Sequence, residues 1–253
     1  MKPIIALLLF SCALFAQNPN QNELAPVSLA KPAAKTMLVS PNSTAQEIFY
    51  LFHASGSKYS RQEAIDAVAE KGDALVPELE KLLRMQKVTA TNIAMPDTGE
   101  SIEVFAPQLA MAVTTLEQIA TPMAYAVVIR VAATHVSPYV RSRALRVLTT
   151  SYHEKAKNDN ITPQSDVLDL LIQNSDDEAF IGEHQKTIKQ IAQEGLTQWL
   201  GFTFDDPRFD NEKALDKKAK TFTNTKDFAT QWRKANALKT TWNKETAHFE
   251  VKK

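Results

Sequence analysis

The sequence predicts an all-α fold: a short stack of antiparallel helical hairpins, with a small β-hairpin insertion and a C-terminal helix plus hairpin that caps the end. Three observations carry that expectation. From Thr44 onward, apolar residues recur at spacings of three and four, the period of a helix that buries one face. Residues that cap helix N-termini stand directly before those runs, and glycine or proline falls between them. Six glycines in 253 residues are too few for a turn-rich sheet protein or for Gly-rich loops that cradle phosphate.

The chain opens with Lys2 and an apolar run from Ile4 to Phe15, followed by the small Ala16 and the polar Gln17-Asn18-Pro19-Asn20. About a dozen apolar residues fall short of the roughly 20 that a spanning helix needs. A basic start, a short apolar stretch, a small residue and a polar flank together describe a secretory signal over residues 1–16, cleaved after Ala16. The one cysteine, Cys12, follows Leu9-Phe10-Ser11, which resembles the bacterial lipoprotein box, so lipidation at Cys12 is the alternative processing. The expected location is periplasmic or extracellular, with a membrane-anchored lipoprotein as the alternative. Cleavage after Ala16 leaves no thiol, so stability would rest on packing without disulfides. Residues 17–42 are rich in Asn, Gln, Pro, Ala and Ser without a sustained period, and read as a flexible linker.

A helical domain is expected over residues 43–200. Thr44 with Glu47, and Ser60 with Glu63, fit capping boxes, in which a hydroxyl takes an orphan backbone N–H and the glutamate reaches back. The second of these helices runs from Arg61 to about Lys71, burying Ala64, Ile65 and Val68, and stops at Gly72. Asp73 stands where it can cap the next helix, whose Leu75, Val76, Leu79, Leu82 and Leu83 make one stripe, with Pro77 in the first turn. Leu109, Val113, Leu116 and Ala120 share a face of another. Thr121-Pro122 opens a helix to about Thr134, apolar on nearly every side and therefore expected between neighbours. Ser137-Pro138 opens one to about Tyr152, and Thr162-Pro163 one through Val167, Leu168, Leu171 and Ile172. Phe180, Ile181, Ile188 and Ile191 mark a longer helix ending near Gly195.

Two segments of this pattern carry a resemblance. Arg61, Ala64, Val68, Gly72, Ala74, Val76-Pro77, Leu79 and Leu82-Leu83 resemble a complete HEAT repeat, and Val140-Arg141, Ala144-Leu145 and Leu148 resemble the first helix of another. The resemblance covers about residues 61–150, and an armadillo-like arrangement or unrelated helical hairpins fit the same residues. It implies an α-solenoid and, by analogy, protein binding on a curved helical surface. In such arrays an arginine at the position of Arg141 bridges to a carboxylate of the next repeat, a role also open to Arg130.

Two segments depart from a plain array. Val88 to Ile93 and Ile102 to Phe105 flank Pro96-Asp97-Thr98-Gly99, which reads as a β-hairpin insertion or an exposed loop. The segment 201–253 is expected to cap the last repeat. Its residues 211–253 hold eleven Lys and Arg against five Asp and Glu, a basic tail on a chain of net charge zero. Phe228, Trp232 and Leu238 mark a short helix there, and Trp242 to Val251 alternate like a hairpin. Trp232, Trp242 and Phe249 form either a recognition patch or the plug over the apolar end that such arrays require.

Catalytic signatures are sparse. His53, His135, His153, His184 and His248 are scattered without zinc spacing, and His153-Glu154 is the single dyad of the kind a HEAT-repeat di-iron enzyme uses several times. His153 therefore reads as a surface residue near a helix end. Asp205-Asp206 and Asp210-Asn211-Glu212 hold enough oxygens for calcium, but their spacing matches no known loop, and a solvated turn is the better reading. No metal or cofactor is expected. With 29 basic and 29 acidic residues, no global field draws the chain to nucleic acid. The expected function is a non-catalytic scaffold that binds a protein partner, with Arg130, Arg141, Arg143 and Arg146 and the aromatics Trp232, Trp242 and Phe249 as contact residues. The alternative is an envelope enzyme with a cleft between the helical domain and the C-terminal segment, using His153 or His184 with a carboxylate. N-terminal sequencing of the exported chain is expected to begin at Gln17; an acylated Cys12 at that terminus would make it an anchored lipoprotein instead.

Overall fold

In a computed structural model, residues 39–56, 58, 60–84, 105–159, 161–182, 186–201 and 225–252 are described, all within the unit spanning residues 37–253. The expected leader, the linker up to residue 38, the hairpin insertion, His184 and the Asp205–Glu212 cluster lie outside them. The described residues are mostly helical, with two small antiparallel hairpins.

Both capping boxes form. Thr44 opens α1 (Ala45–Ala54) and Ser60 opens α2 (Arg61–Ala69), each hydroxyl accepting from the amide of the glutamate three residues on. Gly72 turns the chain with φ +59. A 3-10 turn, Gly72–Leu75, then leads into α3 (Val76–Leu83). Asp73 sits inside that turn and caps nothing; its carboxylate instead accepts from the Thr121 hydroxyl. Three helices follow: α4 (Ala106–Ile119), α5 (Pro122–Thr134) and α6 (Pro138–Thr149), the last two capped by Thr121 and Ser137 with proline as the first helical residue.

Downstream, five expectations need correction. The helix opened by Ser137 breaks at Thr150, and a separate α7 (Ser151–Asn158) begins there. Thr162-Pro163 lie in irregular chain; α8 starts three residues later (Asp166–Asn174). Phe180 and Ile181 form β1 (Phe180–Ile181), paired with β2 (Lys186–Thr187), rather than the start of a helix. The β-branched Ile181 and Thr187 suit that short ladder. Thr187 then caps α9 (Ile188–Leu200), which runs straight through Gly195 and ends at Gly201, φ +71. In the C-terminal segment α10 (Thr225–Asn236) stops before Leu238, which is fully exposed. The hairpin forms as expected, β3 (Thr240–Asn243) against β4 (His248–Val251), with Trp242 opposite Phe249.

Packing follows chain order. Helix α1 meets α2 and α3, α2 meets α4, and α3, α4 and α5 meet one another; α4 and α5 both meet α6. Helix α6 goes on to α7 and α9, α8 joins α9 to α10, and β4 lies on α9. Helix α5 meets α3, α4, α6 and α8. Its Tyr125, Val127, Val128, Val131 and Ala132 are buried, while Met123 and Arg130 reach solvent, so the expectation of a fully sandwiched helix holds for its inner face alone.

Gly195 explains why α9 can lie so near α6 and α8. A Cβ there would stand 2.3 Å from Thr149 Cγ2 and 3.0 Å from Leu171 Cδ2. Gly195→Ala gains about 1 kcal/mol of helix propensity but overpacks a filled seam, which typically costs about 1–3 kcal/mol. Urea denaturation is expected to show net destabilisation, smaller in a Thr149→Ser background, where the clashing methyl is gone and the hydroxyl bond to the Arg146 carbonyl remains.

Candidate functional site

A groove of about 310 Å³ runs between α3 and α5 and ends at the turn joining α5 to α6. Leu83, Val127 and Val131 give it an apolar floor, because each helix turns the same apolar stripe toward its neighbour. Its polar rim comes from residues one helical turn apart: Glu80 and Arg84 on α3, Arg130 and Thr134 on α5. Arg130 Nε donates to Glu80 Oε1 over 2.9 Å and Arg84 Nη2 to the same oxygen over 2.5 Å. Partial burial would raise the Glu80 pKa, but the hydrogen bonds and charges of the two guanidiniums outweigh it and hold the carboxyl below its ordinary value. Two cations thus share one anion at the rim.

His135 lines the far end of the groove and is 7% exposed. The Ser137 amide donates to its Nδ1 over 3.1 Å. An imidazole nitrogen that accepts carries no proton, so in the neutral ring the proton sits on Nε2. Burial chiefly, and the nearby Arg141 charge, lower the pKa and keep the ring neutral. Nε2 is itself buried and has no hydrogen-bond partner among the described residues. An orphaned buried donor costs about 1–3 kcal/mol, and the ring that carries it is part of the groove lining. Two other buried atoms are orphaned, Gln108 Oε1 and Trp242 Nε1, but neither residue lines the groove.

The four arginines expected at the site serve different ends. Arg130 lies in the groove. Arg141 Nη1 donates to the carbonyls of His135 and Val136, and its Nη2 to Asp177 over 2.8 Å, so it fixes the turn that carries His135. Arg143 ties α6 to Glu117 and Thr114 of α4. Arg146, half-buried on the same helix, is likewise engaged. Arg130 and Arg141 each pair with a distant carboxylate, Glu80 on α3 and Asp177 in the irregular chain after α8. The groove unites Arg130 with Glu80, Arg84 and His135, three residues the sequence did not single out.

The aromatic residues are turned inward. Trp232 and Phe249 are buried, and Trp242 is half-buried with Phe249 at 5.4 Å and Trp199 at 5.5 Å between ring centroids. They offer little surface to a partner. His153, expected on the surface, is 6% exposed beneath that hairpin, its ring edge-on to Trp199 and Trp242. Its Nε2 donates to the Ala247 carbonyl over 2.9 Å and its Nδ1 accepts from Gln198 Nε2 over 3.2 Å. Both nitrogens are occupied and neither partner is a carboxylate or a serine. A signal for this burial did exist: α7 carries Tyr152, His153 and Ala156 on one face, the spacing of a covered stripe.

Among the described residues no group of three or more His, Cys, Asp or Glu side chains is placed to hold a metal ion, and no helix is long and apolar enough to cross a membrane. No protein family, curated protein or solved structure matches the chain.

Burial also lowers the His153 pKa. Both His135 and His153 are thus held neutral in the fold, whereas in the unfolded chain they take up protons near pH 6.5. Their contribution to stability is complete above that pH and is lost as pH falls below it, with a slope of at most about 1.4 kcal/mol per pH unit for each ring. Urea midpoints measured from pH 7.5 down to 5 should fall, and His153→Gln should flatten the curve.

Proposed function

We propose that this chain is a non-catalytic binding module of the bacterial cell envelope, a short HEAT-like stack that holds a segment of a partner protein in the groove between α3 and α5. The observation that carries this reading is the buried His135 Nε2–H, a donor without an acceptor among the described residues, on a ring that lines the end of an apolar groove. A buried polar atom without a partner calls for an explanation, and a ligand that supplies the acceptor is one. Contacts of each helix from α1 to α4 with its next-but-one neighbour support the stacked-hairpin architecture. The leader pattern of residues 1–16 supports export.

The groove favours binding over catalysis. The Nδ1 lone pair of His135 is taken by the Ser137 amide, which leaves no base on that ring, and the Thr134 hydroxyl donates back to the Arg130 carbonyl. Val136, 49% exposed at the groove's end, adds apolar surface at the rim.

A photo-crosslinking residue placed at Val136 in the native host is expected to capture a partner that the Arg130→Glu variant no longer yields. The same residue at Phe180, exposed but outside the groove, should not capture it. The Arg130–Glu80 pair is half-exposed, so its loss should change stability by no more than about 1 kcal/mol. Equal capture from both positions would remove the groove from the account.

A further inference from the structure

We infer that the segment bound in this groove is an acidic peptide: a carboxylate that accepts from His135 Nε2–H, flanked by aliphatic side chains that lie on Leu83, Val127, Val131 and Val136. The inference rests on the binding role just proposed and names the chemistry of the occupant.

Three features converge on it. The first is the sign of the orphan atom. With Nδ1 accepting from the Ser137 amide, Nε2 can only donate, so the ligand must bring an acceptor there. The second is the charge of the rim. Among the described residues, Arg84 and Arg130 share Glu80 Oε1, which leaves one positive charge in excess, and each guanidinium uses one of its five donors on that oxygen. Both side chains are more than half exposed, so they can turn toward an anion without breaking the core. Charge-assisted hydrogen bonds from guanidinium to carboxylate are among the stronger ones available.

The third feature is the floor. A bare phosphate or a nucleic-acid backbone would meet the arginines and leave the apolar surface wet, whereas a peptide with aliphatic residues beside its carboxylate covers both. A wholly apolar peptide would bury the floor and leave the His135 donor and the surplus guanidinium charge unanswered. Glu80 adds selectivity. It occupies the oxygen position on which both arginines converge, so an incoming carboxylate must draw them away from it, and a weak neutral acceptor cannot.

The test uses the full chain labelled with 13C at histidine Cε1, so that the His135 ring reports directly. It is titrated separately with acetyl-Leu-Glu-Leu-amide, with acetyl-Leu-Gln-Leu-amide and with inorganic phosphate. The glutamate peptide should shift the His135 resonance to saturation, leave His153 unmoved and bind at least about tenfold more tightly than the glutamine peptide, the factor expected for a hydrogen bond to a charged acceptor. Arg84→Gln and Arg130→Gln should each weaken it, and His135→Phe, which keeps a ring but removes the donor, should abolish discrimination between the two peptides, with circular dichroism confirming that the helices persist. Equal binding of the two peptides would overturn the inference, as would saturation of His135 by phosphate alone. So would silence of His135 towards all three probes. If crosslinks from Val136 still form in that last case, the binding role stands and only the acidic occupant falls; if they too are absent, both fall.

Discussion

Helix α6 is the element against which the others are placed. It is packed by α4, α5, α7 and α9, and its Val140, Ala144, Leu145, Val147 and Leu148 lose all exposure to solvent. A fully buried valine or leucine contributes about 1.5–3 kcal/mol, so one helix of twelve residues anchors much of the core. Its polar residues are spent on the same task from the other side. Arg143 reaches α4 through Glu117, and Arg141 reaches Asp177 beyond α8, so charged bridges flank the apolar seam and fix the rotation of the helix about its own axis.

The groove inherits its geometry from that helix. Ser137 caps α6 with its hydroxyl, and its amide locks the tautomer of His135 two residues earlier. Arg141, one turn into α6, holds the carbonyls on either side of the same bend. A feature that begins as helix punctuation thus decides which nitrogen of a buried imidazole is left as the donor. The rim residues on α3 and α5 need only ordinary helical spacing to complete the arrangement.

Local signals were legible in the sequence wherever a few neighbouring residues decide the outcome. The boxes at Thr44 and Ser60 and the Thr-Pro and Ser-Pro openings at residues 121 and 137 were read correctly because cap, proline and apolar stripe all sit within one turn. Thr162-Pro163 misled, since the same dipeptide also suits irregular chain, and only the packing of α8 on α9 decides where its helix begins. The apolar character of Phe180 and Ile181 suits a helix, yet they pair with Thr187 and Lys186, a ladder that no helical period reveals. The site was less legible than the fold. Arg130 and Arg141 could be named as bridging residues, but the orphan on His135 exists only because α3, α5 and the head of α6 converge. His153 is buried by a hairpin some ninety residues further along the chain.

All three tryptophans, Trp199, Trp232 and Trp242, belong to the C-terminal part of the chain, and Trp199 of α9 and Trp242 share one aromatic cluster. Intrinsic indole emission therefore watches only that region. Loosening of the β3–β4 hairpin would redden and dim the fluorescence, whereas the first four helices, which hold no tryptophan, would melt in silence. The protein carries a built-in lamp aimed at its cap, leaving its groove in the dark.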